Sequence, residues 1–442
     1  DALRRQGGVW FGWSGEIGPS TAVRTVQSGA ITYAVTDLTQ SEHDLYYVGY
    51  ANTTLWPLLH YRLGLVEYRQ HEFDGYWRVN EAFAERLCPL LKADDVLWVH
   101  DYHLIPLAAA LRARGVGNRI GFFLHTPLPV PEVLGALPQH ERLMRALFQY
   151  DLIGVQTARE VHAVQAYARE LAGGTVREDG GITAFGHASR VAAFPIGIET
   201  EAFAAQAVTA EKAVETRRMR DSLNGRAMLI GVDRLDYSKG IPQRFEAMDR
   251  LLSGWAEHRG AITYLQITPH SRASVSQYRA LRRQIEAAAG RINGKFAEFD
   301  WAPIRYVNRS FGRTTLAGFY RLARIGLVTP LRDGMNLVAK EFVAAQNPDD
   351  PGVLVLSRFA GAAQELDAAL LVNPLDTEDM AATLHRALTM ARSERRACWE
   401  RLMAALRANT IDTWRQTYLA ALTGEAPARQ VSPSRPRMPA RL

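Results

Sequence analysis

The chain has 442 residues, of which 47% are hydrophobic and 22% charged; this is typical of globular proteins, and the length predicts more than one domain. No apolar run approaches the ~20 residues of a membrane span, and the two cysteines, Cys88 and Cys398, fit neither a disulfide framework nor a metal site. The formal charge of +6 is not clustered as nucleic-acid binding requires, so these totals predict a cytoplasmic protein that binds neither nucleic acid nor membrane.

The first half of the chain alternates short apolar runs with helical patterns. A glycine-rich stretch at 7–15, GGVWFGWSG, is interpreted as a loop or turn, and so is the glycine pair at 180–181. Continuous apolar runs predict four strands buried on both faces: DVLWVHD, RIGFFLH, LIGVQT and RVAAFPI. Helical periodicity lies between them, in LIPLAAALRARG and AREVHAVQAYARELA.

Polar residues follow the first two of these strands. LWVHDYHLIP places His100, Asp101 and His103 directly after a strand, and GFFLHTPLP places His125 after the next. Two histidines and an aspartate suit zinc, but no further cluster has ligand spacing, so we expect no metal. Asp101 can instead accept hydrogen bonds from sugar hydroxyls. A lone histidine such as His125 is more often part of the core. Its position at the carboxyl end of a strand nevertheless favours a role in a binding site.

FPIGIE at 194–199 interrupts the alternation, which then restarts. Six further strands are predicted, in AMLIGVDRL, AITYLQIT, IRYVN, IGLVTP, GVLVLS and ALLVNP, with helices in PQRFEAMDRLLSGW and MNLVAKEFVAAQ. Two series of β–α units predict an α/β fold with two doubly wound, Rossmann-like domains that face each other across a cleft. We place these domains at 1–196 and 197–424, with the final helix crossing back. Residues 425–442, with four prolines and four arginines, are predicted to be a disordered basic tail.

The first strand of the second domain leads into a predicted anion site. VDRLDYSKG places Arg234 and Lys239 close together, with Gly240 opening the next helix. Cationic side chains and helix N–H groups act together on phosphates. Alternatively, Arg234 pairs with Asp233 or Asp236 as surface charges, but the position after a buried strand favours the anion site. No GxxxxGK[ST], GxGxxG or GxSxG pattern supports another chemistry, so phosphate and polyol binding together suit a sugar nucleotide.

Residues 332–346, RDGMNLVAKEFVAAQ, combine a helical pattern with two carboxylates. The pattern predicts a helix from Leu337 whose inward face carries Glu341, and Asp333 and Gly334 stand just before it. An aspartate at this position commonly caps a helix. From this stretch alone, two interpretations are equally good. The helix is capped by Asp333 and carries Glu341 as a single charge on its inward face, or both carboxylates face a ligand.

Six long motifs in order carry a resemblance to a known family: LWVHDYHLIP, GFFLHTPLPVPE, FPIGIE, VDRLDYSKGIPQRF, PLRDGMNLVAKEFVAAQ and PGVLVLSRFAGAAQEL. To about residue 424 the chain resembles the trehalose-6-phosphate synthases, retaining glycosyltransferases of the two-domain GT-B type. The resemblance implies transfer of glucose from UDP-glucose to glucose 6-phosphate, which gives trehalose 6-phosphate and UDP. It implies no metal or other cofactor, and a homo-oligomer that is a dimer or tetramer.

The resemblance also implies roles on the donor side. Arg234 and Lys239 match the pair that holds the diphosphate and stabilises charge on the leaving UDP, while His125 and Asp333 match contacts to the donor glucose. The remaining donor contacts implied are Phe311 at the uracil end, the stretch Gly334, Met335, Asn336, Leu337 and Val338 near sugar and phosphates, and Glu341 at the ribose hydroxyls.

On the acceptor side, Tyr47, Asp101 and Arg272 match contacts to glucose 6-phosphate. Trp56 resembles a wall of that site, although an aromatic residue there is often plain packing. Retention in this family needs no enzyme nucleophile. The acceptor hydroxyl attacks on the face that UDP leaves and the phosphate helps to take its proton, so no general base is assigned.

One family feature cannot be assigned to this sequence. The family's chains start with a further strand, which carries an arginine for the acceptor phosphate and leads to a Gly-Gly loop near the donor phosphates. This sequence opens inside the following helix, with GGVWFGWSG next. Without that strand, the first sheet would expose apolar surface and unpaired backbone groups. We therefore expect the sequence to be a piece of a longer chain.

Two alternatives stay open on the sequence. One is a related retaining transferase with another sugar- or polyol-phosphate acceptor, and the other is a non-catalytic paralogue that binds sugar phosphates. Arg234, Lys239, Asp333 and Glu341 are all present at full spacing, which favours an enzyme because catalytic geometry needs every group in place. The sequence does not distinguish UDP-glucose from ADP- or GDP-glucose.

Overall fold

The structure is a computed structural model that describes residues 7–19, 22–269 and 276–424. Three predictions lie outside these residues: a helix at the first residues, the acceptor contact Arg272 and the disordered tail. No helix within the described ranges is both long enough and apolar enough to cross a membrane.

The first part of the chain builds two sheets. A three-stranded sheet has the order β1-β3-β2, and a six-stranded sheet has the order β4-β5-β6-β9-β8-β7. The strands are β1 (Gly8–Ile17), β2 (Arg24–Ser28), β3 (Ile31–Leu38), β4 (Leu97–His100), β5 (Ile120–Phe123), β6 (Leu152–Val155), β7 (Thr175–Val176), β8 (Gly181–Ala184) and β9 (His187–Ala193). Strands β4, β5, β6 and β9 are parallel, and β7 and β8 extend the sheet in antiparallel pairs.

The second part builds a six-stranded sheet of the order β12-β11-β10-β13-β14-β15, with every pair parallel. Its strands are β10 (Ala227–Val232), β11 (Ile262–Ile267), β12 (Ile304–Val307), β13 (Ile325–Val328), β14 (Val353–Ser357) and β15 (Leu370–Val372). The chain leaves β10 in one direction and returns to β13 on its other side. Open α/β sheets bind ligands beyond the carboxyl ends of the strands at such a switch point. The predicted α/β architecture is confirmed.

Helices cover both large sheets and supply most of the remaining core. They are α1 (Gln40–Glu42), α2 (Trp56–Leu59), α3 (Gln70–Leu87), α4 (Leu107–Arg112), α5 (Pro131–Leu134), α6 (His140–Leu147), α7 (Ala158–Glu170), α8 (Thr200–Ala210), α9 (Val214–Leu223), α10 (Ile241–Gly254), α11 (Ser276–Phe296), α12 (Arg313–Leu322), α13 (Leu337–Ala345), α14 (Thr377–Thr389), α15 (Arg392–Ala408) and α16 (Ile411–Thr423). Between α1 and α2, His43–Leu55 winds as a π-helix, a form that is rare and concentrated at functional sites.

The interpretation of GGVWFGWSG as a loop is wrong, because these residues fall almost entirely in β1. The strand pairs in parallel with β3, and its Phe11 and Trp13 pack against the first core. Alternate large side chains are a strand signal, but the glycines between them hid it. The second glycine prediction is confirmed for Gly180, which has a φ of +82° in the turn before β8, and is wrong for Gly181, which is the first residue of β8.

A wide cavity separates the two sheets of the first part. Among the described strands, β1 and β4 each pair on one side only, and a cavity of about 2710 Å³ lies between them. Its wall includes Val9 and Trp10, which are 47% and 44% exposed, and also Val99 and Tyr47. Apolar surface and strand edges are therefore exposed beside the predicted acceptor site.

The last described helix, α16, packs on the first six-stranded sheet. Tyr418 is fully buried there and donates a hydrogen bond of 3.0 Å to the carbonyl of Phe122. Its ring needs glycine beneath it, because a Cβ on Gly121 or Gly154 would lie 2.3 or 2.5 Å from Tyr418 atoms. The domain limits given above stay a prediction.

Candidate active site

Lys239 and Asp333 meet at the switch point of the second sheet. Lys239 ends a short turn after β10 and Asp333 follows β13, and Lys239 Nζ lies 2.6 Å from Asp333 Oδ2. Burial lowers the pKa of Lys239, but Asp333 and two further aspartates outweigh this, so the pKa is raised. Burial also raises the pKa of Asp333, and Lys239 overcomes this, so that pKa is lowered. Both groups are therefore ionised at neutral pH.

Arg234 lies in the same loop after β10 as Lys239, and its side chain is exposed. Its guanidinium carbon lies 5.6 Å from the centre of the Trp56 ring, a cation–π contact between the two parts of the chain. The alternative pairing with neighbouring aspartates is not present in the described structure. Asp233 instead pairs with Arg244, and Asp236 accepts a hydrogen bond from the backbone N–H two residues on. Arg234 is thus a cation available to an anionic ligand.

Arg244 supports the anion site and was missed by the sequence interpretation. It is fully buried on α10, and it donates 2.9 Å hydrogen bonds to the Lys239 carbonyl and to Thr329 Oγ1, as well as pairing with Asp233. These bonds tie the loop after β10 to the end of β13. An arginine on the apolar face of a predicted helix was the available signal, because such a charge is seldom buried without partners.

The helix after Asp333 is capped by a different residue from the one predicted. The cap is Asn336, whose side chain accepts a hydrogen bond from the Ala339 N–H, so the aspartate-cap interpretation is wrong. Asn336 also donates to Asp333 Oδ2 at 3.0 Å, which holds the carboxylate toward Lys239. Around this cap Met335 is buried, Val338 is half-buried and Leu337 is 38% exposed.

Gly334 and His125 bring the two parts of the chain into contact. A Cβ on Gly334 would lie only 2.0 Å from the backbone oxygen of His125, so the approach requires glycine. His125 follows β5 and Gly334 follows β13. The carboxyl ends of strands from both large sheets therefore face each other, as the sequence predicted.

His125 is half-buried and is held in place by its own neighbours. Its Nε2 lies 3.1 Å from His100 Nδ1, and its backbone N–H donates to Asp101 Oδ1 at 3.2 Å. Burial lowers the pKa of His100 to about 3 and also lowers the pKa of His125. Both imidazoles are therefore neutral at pH 7, and His125 can exchange hydrogen bonds with a sugar hydroxyl without carrying charge.

The predicted acceptor residues that the structure describes lie on the first part of the chain. Tyr47 projects from the π-helix, and its ring stacks on His103 at 5.6 Å with an interplanar angle of 15°. Trp56 is buried, and its indole nitrogen lies 3.5 Å from Asp236 Oδ1. Asp101 has a φ of +73°, a strained value for a residue other than glycine. Such strain is common where a side chain must point into a site.

Phe311 packs on α12, and Glu341 lies close enough to α12 to be influenced by a charge at its start. Phe311 packs edge-on against Phe319 at 5.6 Å. Glu341 is half-buried, and burial raises its pKa, while Arg313 at the start of α12 partly offsets this. The structure therefore places these two residues near one helix.

Comparison with known proteins identifies the relatives of this architecture. The model of glycosyltransferase family 20 matches residues 1–424. This chain belongs to glycosyltransferase family 20. A trehalose-6-phosphate synthase of Sinorhizobium fredii is 50% identical over 429 residues, which are 96% of this chain and 92% of the relative.

Solved family 20 structures have the same fold. A UDP-forming α,α-trehalose-phosphate synthase from Burkholderia xenovorans, in complex with glucose-6-phosphate, is 50% identical and superposes with a TM-score of 0.94 over 96% of this chain and 94% of its own. An E. coli structure bound with UDP-2-fluoro glucose is 46% identical, with a TM-score of 0.93 over 97% and 95% of the two chains. The predicted family, the GT-B fold and the glycosyltransferase class are confirmed.

Proposed function

We propose that this family 20 glycosyltransferase transfers glucose from UDP-glucose to glucose 6-phosphate with retention, releasing UDP. The observation that carries this proposal is the ionised Lys239–Asp333 pair at the switch point of a parallel sheet. Arg234 follows the same strand as Lys239, and Gly334, next to Asp333, touches His125. Cations for a diphosphate and oxygen acceptors for sugar hydroxyls are thereby within one site. The ligands held by the Burkholderia and E. coli relatives support both substrate classes.

On the donor side, Arg234 and Lys239 bind the diphosphate and stabilise the negative charge that grows on the departing UDP. Stabilisation of developing charge by fixed groups is often the largest catalytic effect. Lys239 keeps its charge because its pKa is raised. Asp333 and His125 accept or donate hydrogen bonds at the glucose hydroxyls, and the free N–H groups at the start of α13 favour anions nearby.

The other proposed ligand contacts lie on either side of this centre. Glu341 binds the ribose hydroxyls and Phe311 contacts the uracil. Tyr47, Asp101 and the wall residue Trp56 bind glucose 6-phosphate, together with Arg272, which lies outside the described residues.

The reaction needs no enzyme nucleophile. The bond from the anomeric carbon to the UDP oxygen breaks, and the acceptor hydroxyl forms its bond on the same face. The hydroxyl proton passes to the departing phosphate, so charge and atoms balance within the substrates. Arg234 and Lys239 hold that phosphate in place during the exchange. We further propose that the enzyme acts without a cofactor, in the cytoplasm and as a dimer or tetramer.

The test is UDP release from UDP-glucose with and without glucose 6-phosphate. It is run on this chain and on a chimera that also carries the family's first strand and Gly-Gly loop. We expect at least the chimera to release UDP only when glucose 6-phosphate is present, with trehalose 6-phosphate as the product. Mannose 6-phosphate and glucitol 6-phosphate serve as matched acceptors, and ADP- and GDP-glucose as matched donors.

Donor binding without acceptor-dependent release in either chain would contradict the proposal and favour a binding role. Release only with another sugar or polyol phosphate would identify a transferase with a different acceptor.

A further inference from the structure

Three metal-ligand side chains meet on the second part of the chain, apart from the candidate active site. Glu257 and His258 end the short turn Ala256–His258, which follows α10, and His385 lies on α14. Their ligand atoms all lie within 4.8 Å of one another. None of the roles proposed above uses these residues.

The spacing of this group is close to that of a metal site. His258 Nε2 lies 3.0 Å from His385 Nδ1, which in turn lies 3.9 Å from Glu257 Oε1. Ligand atoms around tetrahedral zinc, at bond lengths of about 2.0–2.1 Å, stand about 3.3 Å apart. Because no two of the three ligand atoms lie more than 4.8 Å apart, side-chain movements that change these distances by at most about 1.5 Å would produce a coordination shell.

The surroundings favour such a shift. His258 is buried, with 6% exposure, and so provides a fixed ligand. The side chains of His385 and Glu257 are 30% and 60% exposed, which leaves them room to adjust. The Trp255 ring stacks on His385 at 4.9 Å with an interplanar angle of 16°, and this contact limits the orientations of the imidazole.

We propose that Glu257, His258 and His385 bind one divalent transition-metal ion of the zinc class, with water completing the coordination. Two imidazole nitrogens and one carboxylate oxygen suit Zn²⁺, Co²⁺ or Ni²⁺, whereas Mg²⁺ and Ca²⁺ prefer oxygen alone. The ion would fasten the turn after α10 to α14. Its role is structural and does not depend on the proposed glycosyl transfer. The competing explanation of the short imidazole contact is a hydrogen bond with no metal.

The test is Zn²⁺ titration of untagged, chelator-treated protein in competition with a chromogenic chelator. We expect one tight site in the unaltered chain, and an affinity at least about tenfold lower in His385→Ala, since even residues behind metal ligands are typically worth 10–100-fold. Glu257→Gln should also weaken binding. His162→Ala is the matched control, because it removes an exposed histidine on α7. Mg²⁺ should not compete.

His385→Ala and Glu257→Gln both change side chains that are partly exposed, so both variants should keep the fold. A second measurement uses Co²⁺, whose visible absorption should show a four- or five-coordinate site that is lost in His385→Ala. Equal Zn²⁺ affinity in the unaltered chain, His385→Ala and His162→Ala would overturn the proposal and leave the hydrogen bond as the explanation.

Discussion

At the scale of single residues, the site is organised by one buried ion pair. Lys239 and Asp333 are almost removed from water, with side chains 12% and 15% exposed, and each would be costly there without the other. In the proposed reaction a donor diphosphate attracts Lys239 while the glucose hydroxyls bind Asp333. The ion pair keeps both groups charged and oriented in the unliganded protein.

Lys239→Ala should therefore lower kcat by about 10²–10³, the usual cost of losing one group that stabilises developing charge. Lys212→Ala is the matched control, because Lys212 is an exposed lysine on the same part of the chain. Lys239→Ala leaves Asp333 without its cationic partner and could destabilise the fold. Thermal unfolding of both variants would therefore distinguish a loss of activity from a loss of stability. Equal kcat in the two folded variants would argue against a catalytic role for Lys239.

The pH dependence of donor binding should report on Glu341. Burial raises the pKa of this carboxyl above its ordinary value, and the charged carboxylate accepts hydrogen bonds from ribose hydroxyls more strongly than the protonated acid does. Lowering the pH through the raised pKa adds a proton, so UDP-glucose affinity should fall, and at a higher pH than an ordinary glutamate would give.

Calorimetric titration with UDP-glucose from pH 8 to pH 5 measures this effect, because its diphosphate has no group that titrates in this range. Glu341→Gln should bind more weakly at pH 7 and show a flatter pH profile. A profile unchanged by the substitution would assign the pH dependence to another group.

At the scale of elements, the start of α13 shows why its sequence allowed two interpretations. Asp333 and Asn336 can both cap a helix, and a cap is identified only by which backbone N–H each side chain reaches. Asn336 takes that role in the structure, which leaves Asp333 for Lys239. Gly334 was predicted near the ligands, but its contact with the His125 carbonyl spans 209 residues of sequence and has no local signal.

Gly334→Ala should abolish most activity, because its Cβ would lie 2.0 Å from the His125 oxygen and force the two strand ends apart. Gly290→Ala is the matched control, since nothing lies within 4 Å of a Cβ on this helical glycine. That control should keep full activity and gain roughly 0.4–1 kcal/mol of stability. The comparison requires kcat/KM and an unfolding midpoint for each variant. Full activity in Gly334→Ala would show that the close approach is not needed.

The packing of α16 leads to a stability prediction. Tyr418→Ala removes a fully buried ring from the first sheet and should destabilise the protein by about 3–5 kcal/mol. Tyr418→Phe keeps the ring and loses only the hydrogen bond to Phe122, at a cost of about 1 kcal/mol. Urea unfolding midpoints would test this order. Equal midpoints for the two variants would mean that the ring contributes little and that α16 is not firmly docked.

At the scale of the whole molecule, the linker near residue 196 is fastened to the second part of the chain. Lys340 Nζ donates to the carbonyl of Ile196 at 2.7 Å and pairs with Glu365 at 2.6 Å. Asn409 donates to the carbonyl of Pro195 at 2.8 Å. A rotation between the two large sheets would therefore turn about this anchored segment.

Addition of UDP and glucose 6-phosphate together should compact the molecule, because the proposed ligands have partners on both sides of the cleft. Small-angle scattering should show a smaller radius of gyration with both ligands than without them. Lys239→Ala with the same ligands is the control and should compact less. An unchanged radius in the unaltered chain would count against closure.

The sequence by itself determined the buried strands, the α/β class and the positions of charged residues at strand ends, because these patterns are local and repeat with the period of each element. It missed β1, where glycines hid the alternation, and it missed Arg244, whose partners Asp233 and Thr329 come together only in the folded sheet. The tertiary structure alone decided that Lys239 pairs with Asp333, that Arg234 lies over Trp56 and that Gly334 touches His125. Each of these contacts joins distant segments, and its geometry depends on how the two large sheets are placed.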